Sequence, residues 1–88
     1  MATLYRCDGE IIEVHPRRGN TFSLKELQTY VGGDIEIITF NGSLWVCNKE
    51  GKFRKLPMNV AATHFSYIDD SGDYFVGDVL QCSSDEIE

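Results

Sequence analysis

The sequence predicts a single α+β domain, in which a bent antiparallel sheet of five or six short strands packs on one main α-helix. Three observations support this fold. The chain has 88 residues, which is the size of one domain. Short apolar segments are separated by turn dipeptides, and one segment has both the start and the stop signals of a helix. The hydrophobic fraction of 42% and the charged fraction of 25% are typical of a folded globular protein.

The first two strands are predicted at the N-terminal end. Residues 2–7 alternate between the two faces with the period of two that is typical of a strand. The dipeptide Asp8-Gly9 favours a hairpin turn, and residues 10–14 then form the returning strand. Pro16 ends this strand, because proline has no N–H to donate to a neighbouring strand.

The main helix is predicted to begin after Ser23. Ser23 and Glu26 have the spacing of a capping box. Leu27 and Val31 then share one apolar face. Gly32 supplies the left-handed residue that ends many helices. A helix of about nine residues is marginal alone, so this one must pack on the sheet.

A meander of three strands is predicted next. Residues 34–40 and 43–48 are rich in large apolar side chains and flank Asn41-Gly42, a dipeptide whose residues both tolerate positive φ. Residues 52–56 are predicted to form a short, basic third strand.

The last third of the chain begins with a second, shorter helical element. Asn59 is predicted to cap a short helical turn that covers one end of the sheet. Residues 74–82 are predicted to form the last strand, with a bend at Gly77. The domain therefore spans residues 1–82, and residues 83–88 form an acidic tail that is expected to be frayed.

Charge is distributed unevenly along the chain. Residues 1–55 carry eight basic and seven acidic groups, whereas residues 56–88 carry no basic group and seven acidic ones. The acidic surface that residues 56–88 are expected to form disfavours DNA binding, which depends on basic groups. It can attract a basic protein surface, and Asp69, Asp70 and Asp73 are the predicted contacts. The favoured alternative is an acidic surface that only keeps the protein soluble.

The remaining composition points to the cytoplasm of a cell. No apolar segment approaches the ~20 residues that span a bilayer, and the N-terminus lacks the layout of a signal peptide. Cys7, Cys47 and Cys82 are odd in number and far apart, unlike the cysteines of a disulfide scaffold. They are interpreted as small hydrophobic residues in strands.

No metal, cofactor or catalytic group is predicted. His15 and His64 are isolated, whereas a zinc site needs three or four ligands with recognisable spacing. Residues 69–73 have the composition of a calcium loop, but they lack its terminal Glu and its flanking helices. The chain shows no recognisable pair of nucleophile and base, so an enzyme is the least favoured class of function.

One candidate binding site is a polar rim at the end of the meander. The residues predicted to converge there as ligand contacts are Asn48, Glu50, Lys52, Asn59 and Thr63. They suit a pocket for a small ligand or a peptide. The favoured alternative is that Asn48 and Asn59 only satisfy backbone groups of a turn and a helix cap.

A cluster of basic residues lies beside this rim. A phosphate bound by these cations and a base stacked on nearby rings would make a nucleotide site. The favoured alternative is a charged edge strand that resists aggregation. The cluster comprises Lys49, Lys52, Arg54 and Lys55, beside Trp45 and Phe53, with Arg17 and Arg18 expected across the sheet.

Three segments carry a family resemblance that covers residues 10–80. They are residues 27–36 (LQTYVGGDIE), 48–52 (NKEGK) and 56–63 (LPMNVAAT). Their order and spacing resemble a family of small proteins of unknown function found in phages and conjugative elements. The chain departs from the family pattern at Lys49, where an acidic residue is usual, and in its acidic tail.

The resemblance implies expression inside a bacterial host and a role in binding. The leading hypothesis is a non-enzymatic protein that counteracts a host defence by binding a host protein through its acidic last third. The alternative is a sponge for a nucleotide signal, with a pocket at the polar rim, in a homo-oligomer whose subunits share it. The departure at Lys49 leaves the identity of such a ligand open.

Overall fold

The structure is a computed structural model that describes residues 2–87, and it confirms the predicted α+β fold. The strands are β1 (Ala2–Tyr5), β2 (Ile11–Val14), β3 (Ile35–Phe40), β4 (Ser43–Asn48) and β5 (Val79–Cys82). The helices are α1 (Leu24–Val31) and α2 (Val60–Ser66), with short 3-10 helices at Ile68–Ser71 and Ser84–Glu86.

The five strands form one antiparallel sheet in the order β2-β1-β5-β4-β3. The last strand of the chain lies in the middle of this sheet, between the two hairpins. Leu80 of β5 is paired with Leu4 of β1 on one side and with Val46 of β4 on the other. The five-stranded sheet is therefore complete only when the last strand of the chain pairs with the first.

The prediction of a third meander strand at residues 52–56 is wrong. Residues 52–56 lie in a series of turns, where the N–H of Arg54 donates to the carbonyl of Glu50 at 2.8 Å and the N–H of Leu56 to that of Gly51 at 3.0 Å. The free edge of β4 is paired with β5 instead. The physical reason is burial: the middle of the sheet is covered on both faces, which suits an apolar strand and excludes a basic one.

Each face of the sheet carries its own apolar core, because successive side chains of a strand point to opposite faces. The core beneath α1 contains Ala2, Leu4, Phe22, Leu27, Val31, Val46, Leu80 and Cys82. The core on the other face contains Tyr5, Trp45, Cys47, Ala62, Ile68, Phe75 and Val79. The second helix, α2, has seven residues, so it is longer than the predicted turn. It contributes Ala62 to this core, and the segment after it contributes Ile68 and Phe75, so helix and segment together cover this face where the sequence predicted cover at one end.

The capping of α1 confirms the sequence prediction. The N–H of Glu26 donates to Ser23 Oγ, and the N–H of Ser23 donates to Glu26 Oε1, both at 3.2 Å. At the other end, Gly32 has a left-handed φ of 79°, and its N–H donates to the carbonyl of Gln28 at 2.8 Å. Local chemistry therefore sets both ends of this helix.

The residues after β5 are ordered against the α1 core. Ser83 begins the 3-10 helix, and its N–H donates to Glu86 Oε1 at 3.0 Å. The N–H of Phe22 donates to the carbonyl of Glu86 at 2.7 Å, and Ile87 packs on the α1 core. The predicted fraying is therefore wrong for residues 83–87, because the apolar contact of Ile87 and this backbone bond hold the segment.

Candidate functional site

The side chain of Asn48 has a structural role, because it forms hydrogen bonds with backbone groups. Its Nδ2 donates to the carbonyl of Val31 at 3.1 Å, at the end of α1. Its Oδ1 accepts a hydrogen bond from the N–H of Glu50 at 2.9 Å, while the Glu50 side chain is exposed. Asn48 therefore connects a helix end to a turn, as the favoured alternative to a ligand contact expects.

Asn59 is completely buried, and its side chain makes three hydrogen bonds. Its Oδ1 accepts from the N–H of Ala62 at 2.9 Å, which caps α2 as predicted. Its Nδ2 donates to the carbonyls of Tyr5, at 2.7 Å, and Gly77, at 2.8 Å. One amide group thus joins α2 to the end of β1 and to the segment that leads into β5.

Thr63 fixes the same segment from the next turn of α2. Its Oγ1 accepts from the N–H of Phe75 at 2.9 Å, and the N–H of Asn59 donates to the Phe75 carbonyl at 2.8 Å. Within residues 2–87, every buried side-chain nitrogen and oxygen has a hydrogen-bond partner. Asn59 and Thr63 therefore have structural roles, and contact of either with a ligand stays a prediction.

Lys52 and Asp73 form an ion pair, with Lys52 Nζ 2.5 Å from Asp73 Oδ1 and 4.2 Å from the centre of the Tyr74 ring. The hydrogen bond from Lys52 lowers the pKa of Asp73, and the same bond raises the pKa of Lys52. Both groups therefore remain charged at neutral pH. The pair joins a predicted ligand contact to a predicted partner contact, and the charge of Asp73 is balanced.

The residues of the predicted polar rim do not converge on a single hollow in the structure. Asn48 and Lys52 line a hollow of about 210 Å³, beside Asp73. Asn59 and Thr63 are not part of its lining, since their polar atoms are occupied between α2 and the sheet. The structure therefore brings two of the five predicted ligand contacts into one hollow.

Two of the three cysteines lie where the sequence predicts. Cys47 and Cys82 are buried in strands, and burial raises the pKa of each thiol to about 11. Cys7 lies exposed in the turn after β1, so its placement in a strand is wrong. Its N–H donates to Asp78 Oδ1 at 2.9 Å, which ends the pairing of β1 early.

Neither histidine belongs to a group of described side chains that could hold a metal ion. His15 Nε2 is 3.0 Å from Glu13 Oε2, and the His64 ring meets the edge of Phe65. Across residues 2–87, no three His, Cys, Asp or Glu side chains are grouped to hold a metal ion. No helix in this part of the chain has the length and the apolar character that crossing a bilayer requires.

The remaining candidate is a surface that we call the acidic aromatic patch, made of Phe65, Tyr67, Asp69 and Asp70. The rings of Phe65 and Tyr67 are 53% and 60% exposed. Asp69 and Asp70 are exposed on the 3-10 helix that follows, and neither carboxylate has a hydrogen bond or ion pair with another described residue. Phe65, Tyr67 and Asp70 line one hollow, and Asp69 precedes Asp70 on the same 3-10 helix, so the exposed rings and the free carboxylates belong to one part of the surface.

Among residues 56–87, the other acidic side chains are engaged. Asp73 pairs with Lys52, Asp78 accepts from a backbone N–H, and Asp85 accepts from the hydroxyl of Ser83. Of the three predicted partner contacts, the structure therefore leaves Asp69 and Asp70 free, while Asp73 is neutralised.

A hollow of about 470 Å³ opens beside the patch. Trp45 contributes to its lining; this residue is only 1% exposed, and its ring stacks on Phe75 with ring centres 5.6 Å apart. Aromatic faces beside a carboxylate attract cations. The lining residues are Phe40, Asn41, Trp45, Phe65, Tyr67, Asp70 and Gln81.

Tyr67 has a strained backbone. Its φ of 61° lies in the left-handed region, which is an outlier for a bulky residue. The chain reverses here between α2 and the next 3-10 helix, where Gly or Asn would fit without strain. Sequence reasoning found the two carboxylates of the patch but missed its rings. The available signal was two aromatic residues, Phe65 and Tyr67, within five positions of Asp70.

The fold defines the class of the protein. It is a small α+β protein whose sheet is covered on both faces, and residues 2–87 contain no cluster of metal ligands. It belongs to the family described as "Domain of unknown function (DUF3846)", whose model matches residues 4–88. No curated protein and no solved structure matches the chain. The family assignment confirms the expected membership of a small family of unknown function.

Asn59→Asp tests whether Asn59 has a structural role. The carboxylate keeps the acceptor for Ala62 but loses both donated bonds and faces the carbonyls of Tyr5 and Gly77. We expect the free energy of unfolding to fall by about 3 kcal/mol, measured by urea denaturation. The control is Asn20→Asp in an exposed turn, which should change it by less than about 0.5 kcal/mol. Equal stability of the two variants would contradict the structural role.

Proposed function

We propose that this chain is a non-enzymatic binding protein that captures a basic segment of a host protein through the acidic aromatic patch. The observation that carries the proposal is the pair of free carboxylates at Asp69 and Asp70 beside the exposed rings of Phe65 and Tyr67. Lys and Arg side chains can pair with the carboxylates and lie over the rings. Such a surface gives a basic partner both affinity and fast association.

Solubility alone would account for the two carboxylates but not for their neighbours. A surface that only keeps the protein soluble has no need of two exposed aromatic rings. It also has no need of a tyrosine at a left-handed position, where the strain costs about 1 kcal/mol. Strain of this kind can be retained where function needs the side chain. Because Lys55 carries the same strain outside the patch, the exposed rings are the stronger support for the binding surface.

The proposal extends to origin and compartment. The resemblance of residues 27–36, 48–52 and 56–63 supports an origin in a phage or conjugative element, with action in the bacterial cytoplasm against a host defence protein. The buried thiols of Cys47 and Cys82 are free, which is compatible with a reducing compartment.

The alternative, a sponge for a nucleotide signal at the polar rim, has weaker geometric support. The amide groups of Asn48 and Asn59 are occupied by backbone groups, and the charge of Lys52 is balanced by Asp73. A pocket that is shared across a homo-oligomer interface remains part of that alternative. Capture of a protein segment uses groups that are free in the structure, so it is the function we favour.

The double charge reversal Asp69→Lys and Asp70→Lys should weaken capture, because it replaces attraction of a basic segment with repulsion. We expect the amount of partner recovered in a pull-down from bacterial lysate to fall roughly tenfold at low salt, which corresponds to about 1.4 kcal/mol. The difference should shrink at high salt, where exposed charges are screened.

The matched control reverses two other exposed carboxylates, with Glu10→Lys and Glu50→Lys, and should leave capture unchanged. Neither side chain has a hydrogen bond or ion pair with another described residue. If the patch variant and this control recover the same proteins in the same amounts, the electrostatic role of the patch is wrong.

Tyr67→Gly should change stability and capture in opposite directions. Glycine relieves the left-handed strain, so the free energy of unfolding should rise by about 1 kcal/mol. Capture should fall, because the ring is lost. Urea denaturation and the same pull-down measure the two effects.

Lys55→Gly is the control for strain relief away from the patch. Lys55 is exposed and also left-handed, with a φ of 56°. This variant should gain stability in the same way and keep full capture. Full capture by Tyr67→Gly would show that the tyrosine ring takes no part in binding.

A further inference from the structure

We infer that a second site, on the α1 side of the sheet, binds a phosphate-bearing small molecule of the nucleotide class. The site is a cavity of about 650 Å³ between α1 and the loop that leads into it. This volume lies within the range of small-molecule sites in proteins. We call it the basic groove, after the residues His15, Arg17, Arg18 and Lys25 that contribute to its lining.

The cations of the basic groove form no close ion pair within residues 2–87, although the charge of Arg17 also contributes to the lowered pKa of Glu26. Among the described residues, the side chains of Arg17, Arg18 and Lys25 form no ion pair. By contrast, Arg6 and Lys52 each lie within 4.0 Å of a carboxylate. Two guanidinium groups are suited to phosphate, because each presents its N–H donors in a planar fork.

One carboxylate, Glu26, also lines the groove, but its oxygens are engaged. Glu26 Oε2 accepts from the N–H of Arg17 at 2.8 Å, and Oε1 accepts from the N–H of Ser23 at 3.2 Å. These bonds, that from Arg17 first, lower the pKa of Glu26, so it stays ionised. Arg17, Arg18 and Lys25 thus bring three positive charges to the lining and Glu26 one negative charge, in a chain whose net charge is −6. The carboxylate of Glu13 lies beside the groove, 3.0 Å from His15.

The N-terminus of α1 does not itself provide the phosphate contacts of the site. Glu26 and the Ser23 hydroxyl already occupy the first turn of the helix, so a bound phosphate would contact the side-chain cations. Tyr30 adds a ring to the groove wall, held edge-on against the buried Phe22 with ring centres 6.2 Å apart. A fixed ring beside cations suits the base of a nucleotide.

The hollow beside Lys52 is a weaker candidate for the same chemistry. Its lining holds two basic side chains, Lys49 and Lys52, and two acidic ones, Glu36 and Asp73, so their formal charges cancel. The nucleotide site predicted at the polar rim is thus better placed in the basic groove, and this proposal does not depend on the acidic aromatic patch.

The test is calorimetric titration of the full chain, at low salt, with pyrophosphate, ATP and adenosine as probes. We expect pyrophosphate and ATP to bind and adenosine to bind much more weakly, because the phosphate groups provide most of the attraction. The triple variant Arg17→Gln, Arg18→Gln and Lys25→Gln should weaken ATP binding by roughly tenfold or more, since each charged hydrogen bond contributes substantially.

The matched control removes the same charge elsewhere, with Lys49→Gln, Arg54→Gln and Lys55→Gln, and should change ATP affinity by no more than about twofold. Equal weakening in both triple variants would show general charge attraction and overturn the site. So would the absence of binding by pyrophosphate and ATP at millimolar concentration.

A second measurement covers the case in which the groove variant does not fold. In the unmodified protein, pyrophosphate should shift the amide resonances of residues 15–30. Shifts that are confined to residues 48–55 would overturn the groove and favour the polar rim.

Discussion

The constraint on which the rest of the structure depends is that the sheet is covered on both faces. Trp45 and Val46 are neighbours in the chain, yet each is at most 1% exposed and each lies in a different core. Such a strand must be apolar at consecutive positions, and β4 and β5 meet this requirement. Because α1 packs on one face, and α2 with the segment after it packs on the other, the basic groove and the acidic aromatic patch lie on different faces of the sheet.

The patch depends on buried polar contacts as well as on packing. A helix of seven residues is not stable alone in water, so α2 is held by its tertiary contacts. Asn59 supplies its N-cap and joins it to two other segments, while Ala62 and Ile68 pack in the adjacent core. The reversal that displays Tyr67 begins where this helix ends. The proposed binding surface thus depends on hydrogen bonds inside the fold.

Local chemistry was sufficient to predict the elements whose ends are set by neighbouring residues. The capping box at Ser23, the helix end at Gly32 and the cap at Asn59 each depend on groups within a few positions. The turn after β1 also follows from local residues, with the N–H of Gly9 donating to the carbonyl of Arg6 at 2.9 Å. These features could be derived because short-range hydrogen bonds decide them.

The errors arose where distant segments compete for one place. Residues 52–56 have a plausible strand pattern, but β5 takes the edge of β4 because it is apolar on both faces. The pairing of Lys52 with Asp73 spans 21 positions, and no local pattern indicates it. The basic groove could be foreseen only in part. Arg17 and Arg18 are visible as a basic pair, but Lys25 joins them through the docking of α1.

The most direct test of the account is a nuclear Overhauser measurement on the Trp45 ring. The doubly covered sheet predicts contacts from this ring to Tyr5 and Phe75, whose ring centres both lie 5.6 Å away, and none to Leu27 of α1. Contacts between Trp45 and Leu27 would place α1 over the wrong face of the sheet. They would contradict both the two-core arrangement and the separation of the two proposed sites.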